Sequence, residues 1–146
     1  MRTLKAGAVL LSVWSGLNGV VASAVTVLTL SGRSPPALSM VFTEPETRRL
    51  DGKVISVVNA QAALANPCIV ALCILVVVVI WKAVVRKARW AFLALAGTLV
   101  PLQAFGFVSD GFLGHQNIAA NIISTALLTA GLSLAGHEIF RPSGSA

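Results

Sequence analysis

Few side chains in this 146-residue chain can ligate a metal or exchange a proton near neutral pH: five Asp and Glu, two His and two Cys. Asp110 and His115 come first, because they lie close together beside a predicted connection, with Ser109 next to them. Serine, carboxylate and imidazole are the types a hydrolase uses, and the last two can ligate a metal. Their spacing argues against both roles. A working triad takes its groups from separate elements that fix their geometry, and one short loop does not do that. A metal site would need Glu44, Glu46 or Asp51 brought in from another loop, and no H-x-x-x-H, H-E-x-x-H or Cys/His pattern is present. G-x-S-x-G, P-loop and dinucleotide fingerprints are absent too. No catalytic residue, metal or cofactor is assigned. A membrane enzyme using Asp110 and His115 stays as an alternative.

Cys68 and Cys73 lie in one apolar run. On a helix their five-residue separation is a rotation of about 500°, so they face different ways and do not bridge. They read as small apolar packing residues. His137, beside Glu138, reads as a solvated interfacial residue.

The amides form the stronger pattern. With helices alternating in direction, Asn66, Gln103 and Asn121 fall at a common depth of about 6–9 Å inside one boundary. Asn59, Asp110 and Asn117 form a second layer nearer that surface, and Asn18 sits deeper on the first helix. Asn59 and Asn66 share a helix face, as do Gln103 with Asp110 and Asn117 with Asn121, where Ser124 and Thr125 extend the stripe. Polar groups inside lipid are costly, so matched faces carry information. Two readings remain open. One is interhelical hydrogen bonding. The other is a polar pocket opening outward for a small polar ligand, a lipid headgroup or an ion.

The elements that must position these residues follow from composition. The chain is 56% hydrophobic and 11% charged, with a mean hydropathy of +0.86. Soluble domains carry about 25% charged residues, so this surface suits lipid. Four runs are long enough to cross a bilayer: 6–30, 54–81, 90–108 and 117–139. The predicted fold is all-α, a single domain over 1–146 forming an up-down bundle of four transmembrane helices. Residues 1–24 also have the outline of a signal peptide, with Ala22-Ser23-Ala24 as a cleavage site, but Val25 to Leu30 continues the run to spanning length.

The net charge is +6. The basic residues flank the apolar runs, which membrane topology explains better than nucleic acid. Arg2, Lys5, Lys82, Arg86, Lys87, Arg89 and Arg141 fall on one side; Arg33, Arg48, Arg49 and Lys53 fall on the other. Both termini are therefore predicted cytoplasmic in the cell membrane, with 31–53 an extracytoplasmic loop. Trp81 and Trp90 flank the basic turn as part of an aromatic belt. In the long loop Pro35 and Pro36 stop a helix, Leu38 to Phe42 suits the interface, and Thr43 to Glu46 has capping-box form. Asp110-Gly111 signals a turn, and Pro101 falls inside the third span. Ser15, Gly19 and Ser23, and likewise Gly131 and Ala135, have the small-residue spacing of close helix contacts, within the bundle or across a homodimer.

Size and helix number are similar to those of small multidrug-resistance transporters and DoxX-like proteins, in architecture alone. The membrane-embedded glutamate of the multidrug family's first helix has no counterpart, since the first run here holds only Asn18. The sequence favours a noncatalytic binding protein or accessory subunit that works in the bilayer, as a homo-oligomer or in a larger membrane complex. A small oligomeric transporter or channel lined by Asn18, Asn66, Gln103 and Asn121 is the alternative.

Overall fold

A computed structural model describes residues 2–31, 38, 42–112 and 118–141. His115, Asn117, Pro35 and Pro36 lie outside the described residues. The described chain is all-α: α1 Arg2–Leu30, a short α2 Glu44–Thr47, α3 Gly52–Val79, α4 Arg89–Phe112 and α5 Ile118–Phe140. Four of these are long and apolar enough to span a membrane. A lipid solvent offers the backbone no partners, so runs of this composition satisfy their own N–H and C=O groups as helices.

Each long element is started or stopped by local chemistry. The Thr43 N–H and hydroxyl both donate to the Glu46 carboxylate, so α2 begins where the capping pattern predicts. Those two bonds hold the Glu46 carboxyl below its usual range. Asp51 caps α3 by accepting from the Lys53 N–H at 2.9 Å. At its far end α3 widens into a π turn, Ile80–Val84, in which the Val85 N–H reaches Ile80 O. A 6→1 bond from Ala88 N–H to Ala83 O and a 5→2 bond from Lys87 N–H to Val84 O then close the helix in a Schellman arrangement. Lys87 takes the left-handed position with φ 62°. The sequence did not signal this π turn, nor did it single out Pro67 as a helix-interior proline of α3.

The four long helices run up and down, but not as a symmetric square. α1 lies between α3 and α5 and packs along both. α4 packs on α5 and on the π turn, and scarcely touches α3. The apolar core therefore concentrates at the end that carries the basic turn, where Leu11, Ile80, Val84 and Leu99 are fully buried. Phe92 and Phe140 meet edge to face there at 5.7 Å, with the Arg89 guanidinium over the Phe140 ring. Glu138 is buried at this end, 4.0 Å from Lys87 Nζ, whereas its neighbour His137 is exposed.

The helices also differ in length. α1 has 29 residues and the α3–π element 33, against 24 in α4 and 23 in α5. Their contacts are aligned at the basic end: Trp81 donates to Ser12, Phe92 lies against Gly136, and Gly7 against Ala135. The excess length therefore stands at the opposite end. α4 itself ends four residues beyond the predicted boundary at 108, so Asp110 is a buried residue of its last turns rather than the solvated turn residue that Asp110-Gly111 suggested.

Small residues set the α1–α5 crossing. A Cβ on Gly7 would lie 2.7 Å from Ala135 N and 2.9 Å from Gly131 O, and one on Gly131 would lie 2.8 Å from Leu11 Cγ. Gly131 and Ala135 thus serve the inside of the bundle. Ser15 and Gly19 face α3: the Ser15 hydroxyl donates to Cys73 O at 2.9 Å, and Cys73 Cβ would be 3.4 Å from a Cβ on Gly19. Ser23 is exposed and bonds its own helix at Gly19 O.

These contacts give two testable expectations. Gly7→Ala forces backbones apart and should destabilise the protein by about 1–3 kcal/mol. Gly16→Ala, with nothing within 4 Å, should be neutral or stabilising by up to about 1 kcal/mol. Thermal unfolding of both variants in the same micelles checks the pair; equal melting temperatures would refute the tight crossing. The second concerns Glu46. Its folded-state pKa is depressed, so the cap is fully present above the unfolded carboxylate value and is lost as pH falls through the folded one. Amide exchange around 43–47 should quicken over that acidic window, and should not in Glu46→Gln.

Candidate functional site

Because α3 and α4 part from one another beyond the π turn, a cleft of about 690 Å³ lies between them, backed by α1 and α5. Its walls are unequal. α3 contributes Ile69, Leu72, Cys73 and Val76, all apolar apart from the weakly polar thiol. The polar side chains come from the other three helices: Asn18, Gln103, Ser109, Asp110, Asn121 and Ser124.

A hydrogen-bond chain joins α1, α5 and α4 at the back of the cleft. The Trp14 indole N–H donates to Ser124 Oγ at 2.7 Å, and the Ser124 hydroxyl donates to Gln103 Oε1 at 2.9 Å. The Gln103 amide donates to Asn121 O at 3.3 Å, and the Asn121 amide reaches Gly106 O at 3.4 Å. Asn18 donates to Trp14 O at 2.8 Å, within its own helix. Gln103, Gly106 and Asp110 recur on one face of α4, so the polar row descends about 10 Å along that helix from Asp110 to Gln103. Gln103 also borders a second, smaller cleft of about 280 Å³ between α4 and α5, alongside Thr125 and Thr129.

Of the residues predicted to cluster, Asn18, Gln103, Asp110 and Asn121 meet at this cleft. Asn66 and Asn59 do not line it. Trp14 reaches Gln103 through Ser124, and its neighbour Ser15 pairs with Cys73, so Cys73 is the α3 residue level with Gln103. Asn66 is seven residues above Cys73, about 10 Å nearer the start of α3. Its amide bonds its own helix at Ala62 O. Asn59 lies further along still, with its carbonyl oxygen buried and without a hydrogen-bond partner among the described residues. The common depth expected from the sequence fails for α3 because that helix overshoots its neighbours. Trp14 escaped the sequence reading: its indole N–H anchors the chain, and an aromatic residue in an apolar run gives no periodic signal of that.

Among the described residues no basic side chain lines the cleft, and its ionisable groups are Asp110 and the Cys73 thiol. No three His, Cys, Asp or Glu come together among them. What the site offers is a set of neutral amide and hydroxyl groups facing an apolar wall. That suits orientation of a partly polar molecule more than bond making, which needs convergent titratable groups.

No protein-family model matches the chain, and neither a characterised protein nor a solved structure matches it.

The chain of bonds from Trp14 to Gln103 is expected to tie α1, α5 and α4 together. Ser124→Ala and Gln103→Leu should each lower stability by about 0.6–1.5 kcal/mol, and the double variant by less than their sum. Thermal unfolding of the three variants reads this; strict additivity would mean that the two side chains do not act through one another.

Proposed function

We propose that this small multi-pass membrane protein holds an amphiphilic molecule drawn from the bilayer, in the cleft between α3 and α4, without transforming it. The observation that carries the reading is the two-sided lining. Leu17, Val21, Phe105 and Ile123 border the cleft and are themselves exposed, so its mouth is apolar. The hydrogen-bonding groups sit behind them. A molecule with a tail and a polar group can satisfy both walls at once, whereas water or an ion satisfies one.

Size and closure favour the same reading. The volume is within the roughly 300–1,000 Å³ of small-molecule sites. Toward the basic end the bundle is filled by fully buried Leu11, Ile80, Val84 and Leu99. That makes the cleft a dead end, which favours a binding protein over a channel or transporter. With the basic turn on the cytoplasmic side, as the distribution of Lys and Arg indicates, the cleft opens in the outer half of the membrane. A binding protein of this kind acts alone or presents its ligand within a larger membrane complex.

Native mass spectrometry of the chain extracted from membranes in mild detergent tests the proposal. The wild type should carry a bilayer-derived adduct. Leu72→Trp, on the apolar wall, should reduce its occupancy about tenfold, equivalent to about 1.4 kcal/mol, while the circular dichroism stays that of a helical bundle. Equal occupancy in the variant, or no adduct in the wild type after reconstitution with its own membrane lipids, would sink the idea.

A further inference from the structure

We propose that the cleft selects an amphiphile with an uncharged head bearing hydroxyl or carbonyl groups, and rejects anionic lipids; this rests on the reading of the cleft as an amphiphile site. The argument begins with where positive charge is. Between Lys5 and Arg33, between Lys53 and Lys82, and between Arg89 and Arg141 the chain has no Lys or Arg. Every spanning segment is therefore without a fixed cation along its middle. The cleft lies within those stretches, and among the described residues none that line it is basic.

A carboxylate or phosphate head brought into this site would leave water without gaining a counter-charge. Buried charges are tolerated when paired and hydrogen-bonded, and are strongly disfavoured otherwise. The one acid among the described lining residues offers an anion no counter-charge. Asp110 is 2% exposed and belongs to the polar row on α4. Protonated or ionised, it supplies no positive charge.

A neutral head meets the opposite situation. An Asn side chain has two N–H donors and a carbonyl oxygen with two lone pairs. Asn18 spends one donor on Trp14 O, and Asn121 spends one on Gly106 O. The remaining capacity of both amides is mixed donor and acceptor. It matches a hydroxyl, which gives and takes one bond each, or a carbonyl, which accepts. The apolar wall of Ile69, Leu72 and Val76 then covers the tail.

The test uses the full chain in detergent micelles and two probes with the same tail, 1-monooleoylglycerol and oleate, compared by native mass spectrometry and thermal shift. Monooleoylglycerol should bind at least about a hundredfold more tightly than oleate at neutral pH. Asn18→Leu should weaken monooleoylglycerol about tenfold and leave oleate unchanged; Asn18 bonds only within α1, so the interhelical chain survives the substitution. Asn121→Ala is the second variant, with the same expectation. Oleate binding as well as monooleoylglycerol would overturn the selection, and so would monooleoylglycerol affinity indifferent to both variants. In either case loss of the bound probe in Leu72→Trp would still uphold the cleft as an amphiphile site. If Leu72→Trp changes nothing for either probe, the cleft reading itself falls and the selection falls with it.

Discussion

Between Gly7 on α1 and Gly131 on α5 there is no space for a Cβ on either side. Lipid tails are as apolar as leucine side chains, so helices in a bilayer associate through close packing and hydrogen bonds rather than through burial from water. The Gly7–Gly131 crossing supplies the first and the Trp14–Ser124 bond, two turns along, supplies the second. Together they fix the direction and height of α5 against α1. The position of α4 follows from α5 through Gln103 and Ser124, and that of the cleft follows from α4.

The same crossing explains why the bundle is open on one side. α1 uses one face for α5 and another, through Ser15 and Gly19, for α3. α4 is then held by α5 along its length and by the π turn at its start, with little to draw it toward α3. Polar residues accumulate where these constraints meet. Each bond in the chain from Trp14 to Asn121 bridges two helices, so these side chains set the height of α4 on a seam that glycine closes.

Much of the architecture was legible in the sequence because its cause is local. Apolar run length gives the four spans, T-x-x-E at Thr43 gives the start of α2, and the seven-residue spacing of Gln103 and Asp110 gives their common face. What escaped has a non-local cause. Asn66 was placed beside Gln103 on the assumption that all spans begin at one plane; α3 overshoots, and the length of its run, 54–81, does not say at which end the excess stands. Asp110 was read as a turn residue because Asp-Gly favours turns, but the helix continues through both and turns the acid inward. Glu138 is adjacent to an exposed histidine, and Lys87, 51 residues away in the chain, comes within 4.0 Å of its carboxylate. The separation of α3 from α4 is a property of which helices do not touch, and periodicity carries no information about that.

The unequal lengths of the helices have a mechanical consequence. At 1.5 Å per residue α1 and the α3–π element measure about 43 and 50 Å, and α4 and α5 about 35 Å each, against a hydrocarbon core of about 30 Å. No single bilayer thickness matches both pairs, and the mismatch is relieved by tilt. α1, of the long pair, is locked to α5, of the short pair, through Gly7 and Gly131, so the two do not lean independently. The tilt is therefore a compromise shared by the four helices, and α1 and α3 project beyond α4 and α5 at the end opposite the basic turn. The described bundle thus tapers from four long helices at its basic end to two at the other, and the cleft lies below that step.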